Sequence, residues 1–136
     1  MTRSHVVRSV RLVTLSAVLV LGLVGCLHST YCISEADAGA LRILERGDTL
    51  IVRLSSNAST GYAWERVAPE TFAGGSLEPL GEGAYRNLGS APGSPGVTSF
   101  RYAAVGSGTV TLRFVYRRPW EEEPPIEDIS FIIYVD

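Results

Sequence analysis

The chain has 136 residues, 46% hydrophobic and 19% charged, with a formal net charge of −2. That length sets one domain as the expectation. The apolar content excludes a disordered chain, which would be poorer in apolar residues and richer in net charge. The average conceals two unlike parts, a basic and then apolar stretch over residues 1–25 and a mixed remainder.

The opening stretch reads as a secretory signal. Arg3, Arg8 and Arg11 precede an apolar run from Leu12 to Val24 that is broken only by Thr14, Ser16 and Gly22. A comfortable transmembrane helix needs about 20 apolar residues, so the run is short for one. It ends in Leu23-Val24-Gly25-Cys26, which resembles the lipobox of bacterial lipoproteins. The resemblance implies that Cys26 is acylated and becomes the mature N-terminus, so that lipid ties the protein to a membrane. Cleavage near Gly25 without lipid, or an uncleaved anchor, are the alternatives. Leu27 is not the Asp that commonly retains such proteins at an inner membrane, so the outer membrane or the cell surface is the expected location.

Without residues 1–25, nine arginines face fourteen carboxylates, a net charge of −5, and there is no lysine anywhere. An acidic domain lacks the basic footprint that nucleic acid demands. Cys26 and Cys32 are the two cysteines, and His5 and His28 the two histidines. A cysteine nucleophile needs a base, and both histidines lie outside the expected folded part, which also removes His/Cys metal sites. Ser59, Thr60, Ser94 and Ser99 have no His or Lys beside them in the domain. The carboxylate pairs Glu121/Glu123 and Glu127/Asp128 read as solvated runs. No enzyme, no cofactor and no metal are expected.

Along the chain, residues 26–39 read as a membrane-proximal tether, rich in Ser, Ala, Asp and Gly, and residues 40–136 as the domain. The patterning within the domain has period two. Leu50, Val52 and Leu54 share one face of a strand over 48–54; Phe100, Tyr102 and Ala104 do so in 98–105. Val110, Leu112, Phe114 and Tyr116 alternate with Thr109, Thr111 and Arg113, and Ile129, Phe131, Ile133 and Val135 align in the last strand. Weaker strands are expected over 41–45, 62–67 and 77–86. Arg46-Gly47-Asp48, Ala73-Gly74-Gly75 and Gly106-Ser107-Gly108 supply turn signals. About seven short strands and no helical period predict an all-β, immunoglobulin-like antiparallel sandwich, expected as a monomer. If strands alternate in direction, the connections 55–61, 87–97 and 118–128 cluster at one end, as loops that a rigid scaffold presents for recognition.

The first of these connections leads into Asn57-Ala58-Ser59-Thr60-Gly61-Tyr62-Ala63-Trp64. Asn57 can start a turn and Gly61 can take positive φ. Tyr62 and Trp64 share a strand face, which suits a core anchor as well as a site. The second holds Gly93-Ser94-Pro95-Gly96, by itself a flexible connection. The third holds Arg118-Pro119-Trp120, followed by Glu121-Glu122-Glu123 and Pro124-Pro125. An Arg and a Trp on a stiff loop suit an interface, though a packed Trp beside a solvated acidic run fits equally. Asn57-Ala58-Ser59 also matches the N-glycosylation sequon, a coincidence beside a bacterial-type lipobox.

Together, Asn57-x-x-Thr60-Gly61-Tyr62-x-Trp64, a Gly-rich loop and Arg118-Pro119-Trp120 before the last strand resemble the chagasin-type inhibitors of papain-family cysteine peptidases. The resemblance covers roughly residues 40–136. It implies an immunoglobulin-like fold whose three loops form a wedge that covers the peptidase's catalytic Cys and His without reacting. Thr60 and Gly61 would stand over that pair, with Asn57, Ser59 and Tyr62 in the same central loop. Gly93, Ser94 and Gly96 would line one side of the cleft, and Arg118, Pro119 and Trp120 would grip the other. Two departures stand out. Ala58 and Ser59 replace the Pro-Thr that commonly follows the Asn, and Pro95 stands where the second loop usually has Gly. Proline removes an N–H and fixes φ, which puts either a backbone contact or the path of that loop at issue. A non-inhibitory envelope or adhesion lipoprotein on the same fold is the alternative, because fold does not fix function.

Overall fold

The structure is a computed structural model that describes residues 27–67 and 75–136. The expected signal segment 1–25, the lipidation site Cys26 and the turn residues Ala73 and Gly74 lie outside them. Nine strands appear: β1 (Thr30–Ile33), β2 (Leu41–Leu44), β3 (Thr49–Ser56), β4 (Ala63–Val67), β5 (Leu77–Pro79), β6 (Ala84–Asn87), β7 (Gly96–Ala104), β8 (Gly108–Arg117) and β9 (Glu127–Val135). One sheet runs β1-β3-β7-β5, with β6 also paired to β7; the other runs β2-β9-β8-β4. The two pack into a sandwich, and the helical turns among the described residues are two short 3₁₀ segments, 35–37 and 58–60.

The period-two pattern builds the core. Leu50, Val52 and Leu54 of β3 and Phe100, Tyr102 and Ala104 of β7 are buried in one cluster with Val110, Leu112, Phe114, Tyr116, Phe131, Ile133 and Val135. Alternate residues such as Thr109, Thr111 and Arg113 face solvent, as a sheet with one wet face requires. Fully burying each large apolar side chain contributes roughly 1.5–3 kcal/mol.

Residues 27–39, expected as a tether, are instead docked on the domain. β1 pairs in parallel with β3, from Thr30↔Thr49 to Ile33↔Val52, and Ile33 is buried in the core. The buried Asp48 carboxylate fixes the entry, accepting hydrogen bonds from Ser29 N (2.8 Å) and Glu45 N (2.8 Å). Thr49 N in turn donates to Ser29 O at 2.9 Å. Farther along, Glu35 Oε1 accepts a hydrogen bond from Ser55 N. The chain thus covers an edge of β3 that would otherwise present unpaired backbone groups.

The single strand expected over 77–86 is two strands, β5 and β6. Between the pairs Pro79↔Tyr102 and Ala84↔Ser99, this segment advances five residues while β7 advances three. The excess bulges out at Gly81, whose φ is +88°. At Gly83 a Cβ would stand 2.5 Å from the Phe100 ring, so glycine lets the backbone close over that aromatic.

Tyr102 is the core's polar anomaly. It is fully buried, and its hydroxyl finds no hydrogen-bond partner among the described residues. Burial is the main cause that pushes its pKa up to about 12 from 10.0. A raised folded-state pKa contributes stability that is complete below the unfolded value and is lost as pH rises through the folded one. Stability should therefore decline between about pH 10 and 12. Tyr102→Phe should be neutral or stabilising at pH 7, because no bond is lost, and should move the alkaline midpoint upward in a circular-dichroism titration.

Candidate functional site

β3 runs into the first loop, β7 starts after the second, and β8 ends at the third. Pairing puts Ser56 opposite Gly96 and Ala63 opposite Arg117, so all three loops meet at one end of the sandwich.

The first loop is built around Asn57. Its Oδ1 accepts from Ser59 N (3.1 Å) and Ser59 Oγ (2.6 Å). Its carbonyl accepts from Thr60 N (3.2 Å) and Thr60 Oγ1 (2.7 Å). A 3₁₀ turn over Ala58–Thr60 results, and Gly61 ends it in the left-handed region at φ +78°. Asparagine is therefore the residue that shapes the loop, and Ser59 and Thr60 are exposed on it. Both hydroxyl protons are donated inward, and Thr60 Oγ1 also accepts from Tyr62 N at 3.4 Å, so the Ser59 oxygen is the freer acceptor.

Aromatic packing holds the loop to the core. Trp64 is only 6% exposed, stacks on Tyr116 with centroids 4.9 Å apart, and donates Nε1–H to Ser55 O at 2.8 Å. Tyr116 Oη accepts from Asn57 N at 3.0 Å. Tyr62 packs against Tyr116 at 5.5 Å and is half-buried. Trp64 is thus the core anchor, and Tyr62 is largely a floor for the loop.

The second loop touches the first, where Asn57 Nδ2 donates to Gly93 O at 3.4 Å. Gly93 takes φ +80°, and no residue other than glycine has positive φ among those described. Pro95 therefore sits at negative φ without strain, and its carbonyl accepts from Leu88 N at 2.9 Å. Ser94 folds back onto Ala91 O through N and Oγ. Gly96 stands apart from the exposed rim. It is buried in β7, where a Cβ would lie 2.4 Å from the Tyr85 ring.

The third loop separates its Arg from its Trp. Arg118 makes its contacts within the protein while staying partly exposed: Nε donates to Thr60 O at 3.2 Å, Nη1 pairs with Glu121 Oε1 at 2.9 Å, and the guanidinium lies 4.6 Å from the Tyr62 ring centroid. The hydrogen bond to Glu121 is the largest cause raising its pKa further above the usual arginine value. The resemblance implies Arg118 as a gripping cation; its contacts also make it a strut between the third loop and the first, with about a third of the side chain exposed. Pro119 is exposed beside it. Trp120 is 70% exposed, and its indole edge covers Gly61, where a Cβ would stand 2.8 Å from Cη2. Thus Trp120 is not a packed core residue.

Arg118→Ala should leave the melting temperature nearly unchanged, because exposed pairs contribute about 0–1 kcal/mol. It should speed amide exchange over residues 58–61 and weaken any function of the rim. Arg118→Lys should rescue it only in part, because lysine lacks the planar fork.

Among the described residues, no group of three or more His, Cys, Asp or Glu side chains is placed to hold a metal ion. The site is a preformed rim of loops, hydroxyl-bearing at its centre and aromatic at one flank, on an immunoglobulin-like sandwich, an arrangement suited to recognition of a partner protein.

Comparison with known proteins agrees. Residues 43–135 match the family described as "Chagasin family peptidase inhibitor I42", and the chain belongs to that family. Its members are peptidase inhibitors rather than enzymes. Amoebiasin-2 of Entamoeba histolytica is 27% identical over 113 residues, covering 79% of this chain and 89% of that protein. Chagasin of Trypanosoma cruzi is 27% identical over 110 residues, covering 76% and 94%. The crystal structure of a cysteine protease inhibitor from Entamoeba histolytica superimposes with a TM-score of 0.70 at 21% identity, covering 82% of this chain and all of that one. The solution structure of amebosin gives a TM-score of 0.59 at 22% identity over 80% of this chain and 98% of its own. These structural likenesses establish the fold.

Proposed function

We propose that the chain is a reversible, non-covalent inhibitor of papain-like cysteine peptidases that fills the catalytic cleft with its three-loop rim. The observation that carries this reading is the wedge itself. Ser59, Thr60 and Gly61 stand at its centre, fixed by Asn57 and Arg118, with the exposed Trp120 beside them. Loops already held by their own hydrogen bonds lose little entropy on binding, which favours tight association. Tucked into a 3₁₀ turn, Ala58–Thr60 offers no extended peptide bond to a nucleophile. Three loops are enough to bury a standard interface of about 1,600 Å². In this reading Ser59, Thr60, Gly61, Gly93, Ser94, Pro119 and Trp120 touch the peptidase, while Asn57, Tyr62, Gly96 and Arg118 position them.

The relatives support the target class, since one is named chagasin and another solved relative is titled a cysteine protease inhibitor. We extend the proposal to the anchor: a monomer exported by segment 1–25, acylated on Cys26, and held at an outer membrane or cell surface. Alkylation tests the inhibitory part. A papain-like peptidase mixed with residues 27–136 should have its catalytic Cys protected from iodoacetamide, and dissociation should return active enzyme and uncleaved inhibitor. A catalytic thiol that stays reactive in the mixture, or a loop found cut, would refute it.

A further inference from the structure

The segment that leads from Cys26, described from Leu27 onward, and the three-loop rim lie at opposite poles of the sandwich. Thr30 pairs with Thr49 at the start of β3, whereas the rim begins at Asn57, after β3 ends. At about 3.3 Å per residue, the two ends of that strand are roughly 26 Å apart. The Asp48 carboxylate holds Ser29 at the lower pole, and the His28 ring lies against Gly47 there, where a Cβ would be 2.2 Å from it. Only Leu27 and His28 separate Cys26 from Ser29. The free leash is therefore at most about 10 Å long, at 3.3–3.6 Å per residue. A tether of all residues 26–39 would have reached more than about 40 Å by the same measure, enough for the domain to turn over.

We propose that lipid on Cys26 holds the domain by this lower pole, with the rim turned away from the bilayer toward soluble peptidases arriving from the aqueous side. The inference rests on the acylation reading above. Charge acts in the same direction. Glu122 and Glu123 are exposed beside Trp120 and have no ion-pair partner among the described residues, so an anionic membrane surface repels the rim.

The full chain, made in a bacterium that acylates lipoproteins and reconstituted on anionic vesicles, tests this. Acylated Cys26 carries no free thiol, and Cys32 is an exposed thiol on β1, so it takes a fluorescent donor near the lower pole. The double variant Cys32→Ser/Glu122→Cys takes the same donor at the rim. Energy transfer to a lipid-headgroup acceptor should be at least twofold more efficient from Cys32 than from position 122. Fifteen Gly/Ser residues inserted after Leu27 should bring the ratio toward one. Equal or reversed efficiencies in vesicle-bound protein of native length would overturn the orientation and leave the anchor standing. Protein that fails to float with vesicles, or lacks the acyl mass, would overturn the anchor and the inference with it. Added soluble papain separates orientation from inhibition. Vesicle-bound protein should inhibit it within twofold of the detergent-solubilised form. Inhibition that appears only after solubilisation counts against the orientation, and its absence in both forms counts against the inhibitory function.

Discussion

Trp120→Ala should raise the inhibition constant for a papain-like peptidase by at least about thirtyfold, equivalent to about 2 kcal/mol, as truncation of a hot-spot aromatic does. Stability should hardly change, because the side chain is 70% exposed and packs on Gly61 rather than in the core. That combination is what marks the indole as a binding group. The control is Trp64→Phe, which removes the Nε1 donor to Ser55 O from a buried ring and should lower stability before it affects affinity. Gly61→Ala should reproduce much of the Trp120 loss by another route. The residue holds φ +78°, and the added methyl meets the indole at 2.8 Å. The substitution therefore strains the backbone by about 1–3 kcal/mol and displaces the tryptophan. A Trp120→Ala protein that is folded and inhibits as well as the parent would remove Trp120 from the site.

Deleting residues 27–39 has the largest expected effect on stability. The deletion takes Ile33 out of the core, a contribution of roughly 1.5–3 kcal/mol. It also removes one of the two backbone donors to the buried Asp48 carboxylate, which costs about another 1–3 kcal/mol. The β1–β3 pairing and the Glu35–Ser55 bond go as well, baring the edge of β3. Together these should destabilise residues 40–136 by at least about 3 kcal/mol relative to 27–136, lowering Tm by about 12 °C or more for a domain of this size. Calorimetry on the two chains checks it. Because Ser55 also accepts the Trp64 indole N–H and leads directly into the first loop, the shorter chain should inhibit more weakly too. Equal Tm values would mean that β1 adds nothing.

Eight of the nine strands fall in the seven segments whose patterns are visible in the sequence, because a half-buried strand must alternate and its neighbours in sequence carry the whole signal. β1 carries no such signal. Thr30-Tyr31-Cys32-Ile33 is too short for a periodic pattern, and what fixes it is a pairing with residues nearly twenty positions away and the carboxylate of Asp48. The break between β5 and β6 likewise depends on the Phe100 ring arriving against Gly83. At the site, the residue types and their order were legible, and so was the clustering of three loops. The division of labour was legible in part: turn chemistry marks Asn57 as the residue that shapes the loop, and strand alternation marks Trp64 as its anchor, whereas Arg118 becomes a strut only because Tyr62, Thr60 and Glu121 surround it. Pro95 looked like an obstacle, yet the positive φ in that loop falls at Gly93.

The most direct test of the inhibitory wedge is a titration of a papain-like peptidase, active-site counted, with residues 27–136. The wedge predicts loss of activity at one inhibitor per enzyme, recovery of full activity on dilution, and a shift of at least about thirtyfold to weaker inhibition for Trp120→Ala. A folded domain that leaves a panel of such peptidases fully active at micromolar concentration would contradict it, and would favour a non-inhibitory envelope or adhesion role for this sandwich.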